Sequence, residues 1–154
     1  IGVTRSKWKR ELAEDLGADF TFAPNENLKS DVLKVTGEKG GVDLVIESVG
    51  QLSILAEAIE LVRLGGRILP FGIYTQTKGE LPFYNLYFKE IQVVNARVAK
   101  PEDYPASIDF VQRGVVDLKP LITHTFGLNQ INKALDMLDG GNSNCIKIIL
   151  DHDG

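Results

Sequence analysis

The chain has 154 residues, enough for one main domain with a sizeable core and too few for two large domains. Lysine and arginine number 17 against 21 aspartate and glutamate, and the net charge of -4 is scattered, without the basic stripe that nucleic acid requires. Because the single cysteine, Cys145, excludes an intramolecular disulfide and no apolar run approaches the roughly 18 residues of a membrane span, we expect a cytoplasmic protein with neither nucleic-acid nor membrane partners.

Short strand-like apolar runs alternate with stripes of helical spacing along the first half of the chain. In chain order the predicted elements are a strand at 1–4, a helix at 6–17, a strand at 20–23, a helix at 28–37, a strand at 42–46, a helix at 51–63 and a strand at 67–73. The 51–63 helix is the clearest, because Leu52, Leu55, Ile59 and Val62 share one face. Pro70 argues against a central position for the 67–73 strand, since proline donates no ladder hydrogen bond.

The second half continues this alternation after a predicted loop at 74–88, which carries Gly79 and Pro82 among aromatic residues. The further predictions are a strand at 91–96, a helix around 104–111 that stops at Gly114, a strand at 121–124, a helix at 131–138 that ends at Gly140 and Gly141 with Asn129 as N-cap, and a strand at 145–150. Strands alternating with helices of this size predict an α/β fold, in which a parallel sheet carries helices on both faces.

The stretch 40–50 is typical of one β-turn-α step of a dinucleotide-binding fold. A glycine turn precedes the 42–46 strand, and the short turn Ser48-Val49-Gly50 leads directly into the next helix. Ligands of such folds lie at the carboxyl ends of the strands. We therefore expect Ser48, Val49 and Gly50 to face a cofactor.

Four segments carry a resemblance to a known protein family. They are Lys-Arg-Glu-Leu-Ala-Glu-Asp-Leu-Gly-Ala-Asp at 9–19, Gly-Val-Asp-Leu-Val-Ile-Glu-Ser-Val-Gly at 41–50, Leu-Gly-Gly-Arg-Ile at 64–68 and Lys-Pro-Leu-Ile-Thr-His at 119–124. In this order they resemble the medium-chain dehydrogenase/reductase superfamily, and more narrowly the carboxyl-terminal part of zinc-type alcohol and polyol dehydrogenases. The resemblance runs from the first residue to about Asp151.

The resemblance implies a Rossmann-like fold in which 1–118 form a partial dinucleotide-binding domain and 119–154 a carboxyl-terminal segment that returns to the catalytic domain. In the family a Gly-rich phosphate turn follows the first strand, and the catalytic zinc ligands lie on an amino-terminal domain. No Gly-x-Gly-x-x-Gly occurs here, and the chain begins at the family's second strand. We therefore expect a fragment of a longer zinc enzyme, inactive and without zinc by itself, or a chain whose first strand a neighbour supplies.

The end of the first predicted strand is expected to select the cofactor. Sites that prefer NAD place an acid there to bind the ribose 2′-hydroxyl, whereas Thr4 stands there in this chain. Thr4 and Ser6 offer hydroxyl groups, Arg5 offers a charged fork for phosphate oxygens, and Lys7 and Lys9 add positive charge. This is the pattern of the superfamily's NADP-dependent members and predicts NADP(H) over NAD(H). The alternative is that these cations are solvated charges at a helix start.

The resemblance assigns a second turn, Phe71-Gly72-Ile73, to the path from adenosine to nicotinamide, together with the turn at 48–50. Glycine at both turns would let the backbone approach the cofactor closely. The alternative is that both are ordinary turns at strand ends.

Two more cofactor contacts are predicted further along the chain. Ala96-Arg97-Val98 resembles a segment whose backbone contacts the nicotinamide amide, and the alternative for Arg97 is a surface or interface charge. Lys147 matches a position whose basic residue reaches the pyrophosphate. A lysine that simply points outward from an apolar strand is an equal alternative for Lys147. Glu47 bonds either to a helix start or to a ribose, while His124 is expected to be structural. No residue of this chain is predicted to be catalytic or to bind metal.

These assignments imply hydride transfer between NADP and the carbonyl carbon of a small alcohol, polyol or ketone, with the metal as Lewis acid. Two alternatives stay open: a zinc-independent quinone or enone reductase of the same superfamily, and a non-catalytic nucleotide-binding protein. Exposed aromatic residues beside a sheet edge also predict a homo-oligomer that associates near 82–95.

Overall fold

The computed structural model describes residues 1–140 and 144–152. By its internal contacts the chain divides into two compact units, one of Ile1–Thr21 with Ala99–Gly154 and the other of Phe22–Val98. This division differs from the predicted boundary at 118/119. That boundary rests on the family's catalytic domain and stays a prediction.

The segment at 1–21 begins with one strand and one helix. Its elements are β1 (Gly2–Val3), α1 (Lys7–Asp15) and the start of β2 (Thr21–Phe22), and β1 pairs with β2 in a two-stranded sheet. The N–H of Gly2 donates to the carbonyl of Phe20 at 2.9 Å. Gly17 follows the helix with φ +102° and donates to the carbonyl of Glu14, which confirms the predicted stop.

The unit at 22–98 holds a three-stranded parallel sheet in the order β3-β4-β5. Its elements after β2 are α2 (Leu28–Thr36), β3 (Val42–Glu47), α3 (Leu52–Leu61), β4 (Val62–Pro70), α4 (Phe83–Phe88) and β5 (Gln92–Val93). The parallel pairing and the intervening helices confirm the predicted α/β class.

The core of this unit lies between its helices and one face of its sheet. Ile59 of α3 and Val62 and Ile68 of β4 are fully buried, and Leu28 of α2 packs in a neighbouring cluster. Val42 and Val45 of β3 contact both clusters, although regular alternation along a strand would place residues three positions apart on opposite faces. The register shifts between Val42 and Leu44, which turns both valines to the same face.

In the described part of the chain β3 is one of the two edge strands of this sheet, and one face of β3 is open. Leu44 and Ile46 are both exposed, whereas the sequence predicts a strand that is buried throughout. Only the face that meets α2 and α3 is therefore covered in the described part of the chain.

The segment that starts at residue 99 forms a separate β-α-β step. Its elements are α5 (Asp103–Gln112), β6 (Ile122–Gly127), α6 (Ile131–Asp139) and β7 (Lys147–Asp151), and β6 pairs with β7 in parallel. Gly114, with φ +69°, follows α5 as predicted. Across the described residues, every helix is too short or too polar to cross a membrane.

Several predicted boundaries are wrong. α4 forms inside the predicted loop. The sequence does not indicate it, because five of its six residues are aromatic or leucine and show no apolar stripe at helical spacing. β4 begins at Val62, inside the predicted helix, and ends at Pro70. Pro70 forms the last pair with β3, so the N–H that proline lacks is missing only at the end of the strand. The N-cap of α6 is Gln130, because Asn129 belongs to a short 3-10 turn. The predicted helix end at Gly141 lies outside the described residues.

Candidate cofactor site

The turns at the carboxyl ends of β3 and β4 lie directly against each other. Gly50 is buried with φ +82°, and a Cβ on it would lie 2.7 Å from the carbonyl carbon of Ile73. A Cβ on Gly72 would lie 2.6 Å from the Cα of Gly50. Only glycine permits this backbone contact, because real Cβ atoms do not come so close. The two predicted turns, 48–50 and 71–73, are therefore one surface.

A buried carboxylate ties these turns together. Glu47, the last residue of β3, is 2% exposed, and its side-chain oxygens accept the N–H groups of Val49 at 2.7 Å and of Gly50 at 3.1 Å. The main-chain carbonyl of Glu47 accepts the N–H groups of Phe71 at 2.7 Å and Gly72 at 2.9 Å. The sequence leaves open whether Glu47 bonds to a helix start or to a ribose. Its contacts correspond to the helix start, since Val49 and Gly50 lead into α3.

The chain after β4 turns back over the same place. The hydroxyl of Tyr74 donates to the Glu47 carboxylate, and burial, together with that carboxylate, raises the pKa of Tyr74 above its usual value. Gln76 accepts the N–H of Leu52, the first residue of α3, at 3.2 Å. Two side chains of this segment therefore fasten it to the turn that precedes α3.

The outer surface of the paired turns is apolar. Val49 is 61% exposed, Phe71 63% and Ile73 86%, while the intervening Gly72 and Tyr74 are half-buried. Exposed apolar side chains grouped at the carboxyl ends of parallel strands suit the flat rings and riboses of a dinucleotide. This part of the chain therefore fits the predicted cofactor.

The segment after β5 carries the next predicted contacts. The N–H of half-buried Ala96 points to the carbonyl of Pro70 at 3.5 Å, so Ala96 lies beside the end of β4, and Arg97 is exposed. Val98 has φ +58°, a conformation that a β-branched residue rarely adopts.

The turn between β1 and α1 belongs to the other unit and is held by an arginine that the sequence does not single out. Nη1 of Arg10 donates to the carbonyl of Thr4 at 2.7 Å and to that of Arg5 at 3.1 Å. Ser6 is the N-cap residue of α1, but its hydroxyl does not cap the helix. Arg5 is exposed, and among the described residues no carboxylate forms an ion pair with it. Its charge is therefore available to a ligand.

The lysines near this turn have partners. Lys7 pairs with Glu11 at 3.4 Å, and Nζ of Lys9 lies 5.6 Å from the centre of the Trp8 ring. Both are surface contacts of modest strength. Lys9 is thus less free than Arg5 to meet a phosphate group.

Lys147 and His124 occupy neighbouring strands of the 99–152 segment. Lys147 is exposed at the start of β7, with its carbonyl accepting the hydroxyl of Thr123 at 3.2 Å. Nδ1 of His124 lies 3.1 Å from the same hydroxyl, and its ring stacks on Phe126. Cys145 is half-buried and precedes the strand. Within the described ranges, no three histidine, cysteine, aspartate or glutamate side chains form a group that could hold a metal ion.

Sequence reasoning finds the turns but misses most of the side chains that hold them. Tyr74 and Gln76 fall in a predicted loop, and Arg10 reads as one more charge on a helix face. A buried acid at a strand end, Glu47, was the one available signal. Its partner Tyr74 lies 27 residues further along the chain.

Comparison with known proteins identifies a family for most of the chain. Residues 1–113 match the zinc-binding dehydrogenase family. The D-arabitol-phosphate dehydrogenase of Enterococcus avium is 26% identical over 153 residues, which cover 97% of this chain and 42% of that protein. This chain therefore spans about two fifths of the length of that curated relative.

Two solved structures have closely similar folds. A short chain alcohol dehydrogenase from Escherichia coli CFT073, complexed with NADH, superposes with a TM-score of 0.84 at 24% identity, over 96% of this chain and 43% of that chain. A protein from Sinorhizobium meliloti 1021, bound to NADP, superposes with a TM-score of 0.76 at 26% identity, over 96% and 43% of the two chains.

Proposed function

Because this chain belongs to the zinc-binding dehydrogenase family, within the medium-chain dehydrogenase/reductase superfamily, we propose that it is the cofactor-binding part of an NADP(H)-dependent alcohol or polyol dehydrogenase. Two of the relatives that it matches, the D-arabitol-phosphate dehydrogenase and a sorbitol dehydrogenase, are named for sugar alcohols or their phosphates. The proposal assigns the described residues to the dinucleotide and leaves the substrate pocket and the zinc ligands to sequence outside this chain.

The single observation that carries the NADP preference is the β1–α1 turn. Thr4 replaces the carboxylate that would bind a ribose 2′-hydroxyl and repel a 2′-phosphate. Arg5 stands beside it with an exposed guanidinium, which suits phosphate oxygens in both charge and shape. Of the two solved structures, the Sinorhizobium meliloti protein is bound to NADP and the Escherichia coli protein to NADH, so the proposed preference rests on Thr4 and Arg5.

The remaining contacts of the cofactor follow from the paired turns. Val49, Phe71 and Ile73 offer exposed apolar surface for its rings, and Gly50 and Gly72 keep the backbone of both turns close and rigid beneath it. Ala96 and Arg97 would meet the nicotinamide amide, and Lys147 the pyrophosphate. Each of these roles is part of the proposal.

Bound NADP(H) would supply or accept the hydride that interconverts a small alcohol or polyol and its carbonyl form. The residues of this chain would hold the nicotinamide ring in one orientation and exclude water from one of its faces. Orientation of this kind contributes to rate because it replaces a search in solution by a fixed approach.

We also propose that the enzyme is a cytoplasmic homo-oligomer in which a second copy covers α4 and the outer edge of β5. Phe83, Tyr84, Tyr87 and Phe88 are all largely exposed, and the rings of Tyr84 and Phe88 stack 5.7 Å apart. β5 pairs with β4 on one side only. An apolar patch beside an open strand edge favours association.

Turnover tests this function directly. The intact protein should reduce NADP⁺ in the presence of one or more members of a panel of small alcohols and polyols, followed by the absorbance of NADPH. Loss of that activity on chelation of zinc, and its return with added zinc, would distinguish the zinc branch from a quinone or enone reductase. Cofactor binding with no turnover on any alcohol, polyol, quinone or enone would instead support a non-catalytic nucleotide-binding protein.

A further inference from the structure

We propose that Tyr74 is a positioning residue of the cofactor site, which acts through Glu47 to fix the Phe71-Gly72-Ile73 turn against the Ser48-Val49-Gly50 turn. The proposal rests on the proposed function, because it assigns Tyr74 a role in dinucleotide binding. The contacts that carry it all lie within the unit at 22–98.

Glu47 is buried and accepts hydrogen bonds through two groups. Its main-chain carbonyl accepts those of the second turn, Phe71 and Gly72. Its carboxylate accepts the N–H groups of Val49 and Gly50 and the hydroxyl of Tyr74. No lysine or arginine of the described chain forms an ion pair with it. Neutral donors must therefore replace the water that the charge lost on burial, and each of them matters more than a surface hydrogen bond would.

Among the donors to the carboxylate, Tyr74 is the one that comes from the chain after β4. Val49 and Gly50 follow Glu47 directly along the chain, so their bonds hold only the first turn. The Tyr74 bond spans 27 residues and joins the second turn to the first. Without it, the second turn keeps its backbone bonds to the Glu47 carbonyl and its close contact with Gly50, and the nearest remaining side-chain anchor is Gln76, which bonds to Leu52 at the start of α3.

The direction of the exposed side chains depends on this anchor. From Phe71 to Tyr74 exposure alternates, with Phe71 and Ile73 outward and Gly72 and Tyr74 inward. This exposure pattern places Ile73 and Tyr74 on opposite sides of the segment. Holding Tyr74 inward therefore keeps Ile73 outward, and the proposal places Ile73, the last residue of the second turn, against the nicotinamide half of the cofactor.

The test compares two nucleotides on the intact protein. Tyr74→Phe removes a single oxygen and keeps the ring, and Tyr104→Phe, on the exposed side of α5, is the matched control. Affinity is measured for NADPH and for 2′,5′-ADP, which has the 2′-phosphate and lacks the nicotinamide. We expect Tyr74→Phe to weaken NADPH binding about tenfold, to weaken 2′,5′-ADP binding much less, and to raise the KM for NADPH more than it changes kcat.

A double-mutant cycle then tests whether Tyr74 acts through Glu47. In a Glu47→Gln background Tyr74→Phe should cost little further NADPH affinity, because the carboxylate that it serves is already gone. Fully additive losses would overturn the proposal, as would NADPH affinity within twofold of the wild-type value in Tyr74→Phe. Equal losses for both nucleotides, together with a lower unfolding temperature, would contradict it as well, since they would indicate general destabilisation.

The outcomes separate this inference from the proposed function. Wild-type protein that binds neither NADPH nor 2′,5′-ADP would remove the proposed function and, with it, the role of Tyr74. Wild-type protein that binds NADPH while Tyr74→Phe binds it equally well would leave the function standing and overturn only the inference.

Discussion

Gly50 and Gly17 both adopt positive φ, yet their surroundings make the two residues very different. Gly17 ends α1 at φ +102°, and a Cβ there would meet nothing within 4 Å. Gly50 has φ +82°, and a Cβ there would overlap the backbone of Ile73. The first glycine is needed only for its conformation, whereas the second is needed for both conformation and space.

Alanine substitution should separate these two requirements. We expect Gly17→Ala to lower the free energy of unfolding by about 1 kcal/mol, from backbone strain alone. Gly50→Ala should lower it by about 3 kcal/mol, because overlap adds to the strain, and should also weaken NADPH binding. Urea denaturation of the intact protein measures both values. Equal losses for the two variants would contradict the close contact of the turns.

At the same scale, the sequence indicates which residue types meet the cofactor but not what holds them. Thr4 and Arg5 are readable because an acid is missing from a position where dinucleotide folds often carry one. Arg10 and Tyr74 are not readable, because their partners are backbone carbonyls and a distant carboxylate that only the folded chain brings near. Glu47 lies between these cases. Its position at a strand end suggests a hydrogen-bonding role, but only the folded chain shows that its partners are the N–H groups before α3.

Among the elements, a lysine that follows α4 is bonded to the end of α3. Nζ of Lys89, the residue after α4, donates to the carbonyls of Ile59 and Glu60 at 3.0 Å and of Val62 at 3.1 Å. These are carbonyl groups at the carboxyl end of α3, where a positive charge is favourable. Burial lowers the pKa of Lys89 below its usual value.

Removing this ammonium should loosen the junction of α3 and α4. Lys89→Met keeps the length of the side chain but leaves three carbonyls without their donor, so we expect the free energy of unfolding to fall by about 2 kcal/mol. Lys34→Met, which removes an exposed pair with Asp31, should change it by less than about 0.5 kcal/mol. Thermal unfolding with both variants tests the difference. A Lys89→Met protein as stable as Lys34→Met would show that the three carbonyls are satisfied in another way.

Glu60 links α2, α3 and α4 and makes this junction sensitive to acid. Lys29 donates to its carboxylate at 2.6 Å, Asn85 also donates to it, and these hydrogen bonds lower the pKa of Glu60 below its usual 4.5. A carboxyl whose pKa is lower in the folded chain contributes stability above its unfolded pKa, and this contribution is lost as the pH falls through the folded value.

The free energy of unfolding should therefore fall as the pH drops below about 4.5, and Glu60→Gln should reduce that dependence. The measurement is urea denaturation at a series of pH values for the wild type and the variant. Since other carboxylates titrate in the same range, the difference between the two proteins is the relevant quantity. Parallel curves would contradict the coupling of Glu60 to folding.

The regular elements were predicted best where one face is apolar and the other is polar. The stripe of α3 was recognised because its apolar residues recur at helical spacing, and Ile59 is indeed buried. The sequence does not predict α4, because Asn85 is the only residue without a ring or an aliphatic side chain among its six and one such residue does not set a helical period. The start of β4 was misplaced because Val62 continues the apolar stripe of the helix while its backbone is already extended. Tertiary pairing with β3, rather than local pattern, decides that boundary.

For the whole molecule, we propose that the exposed aromatic face of α4 is the surface through which two copies associate. If a second copy covers this face, a polar substitution there should dissociate the oligomer, because the contact depends on apolar area. We expect Tyr84→Ser with Phe88→Ser to convert the protein to monomers in sedimentation velocity. Tyr104→Ser, on α5, should leave the assembly unchanged. A wild-type protein that already sediments as a monomer would contradict the proposed oligomer without affecting cofactor binding.

Choice of cofactor is the property on which the account depends most, and isothermal calorimetry measures it directly. On the intact protein we predict that NADPH binds at least tenfold more tightly than NADH, about 1.4 kcal/mol, and that Arg5→Ala removes this preference while Arg113→Ala, an exposed arginine paired with Asp109, retains it. Tighter binding of NADH, or an unchanged preference in Arg5→Ala, would contradict the assignment of the β1–α1 turn to a 2′-phosphate.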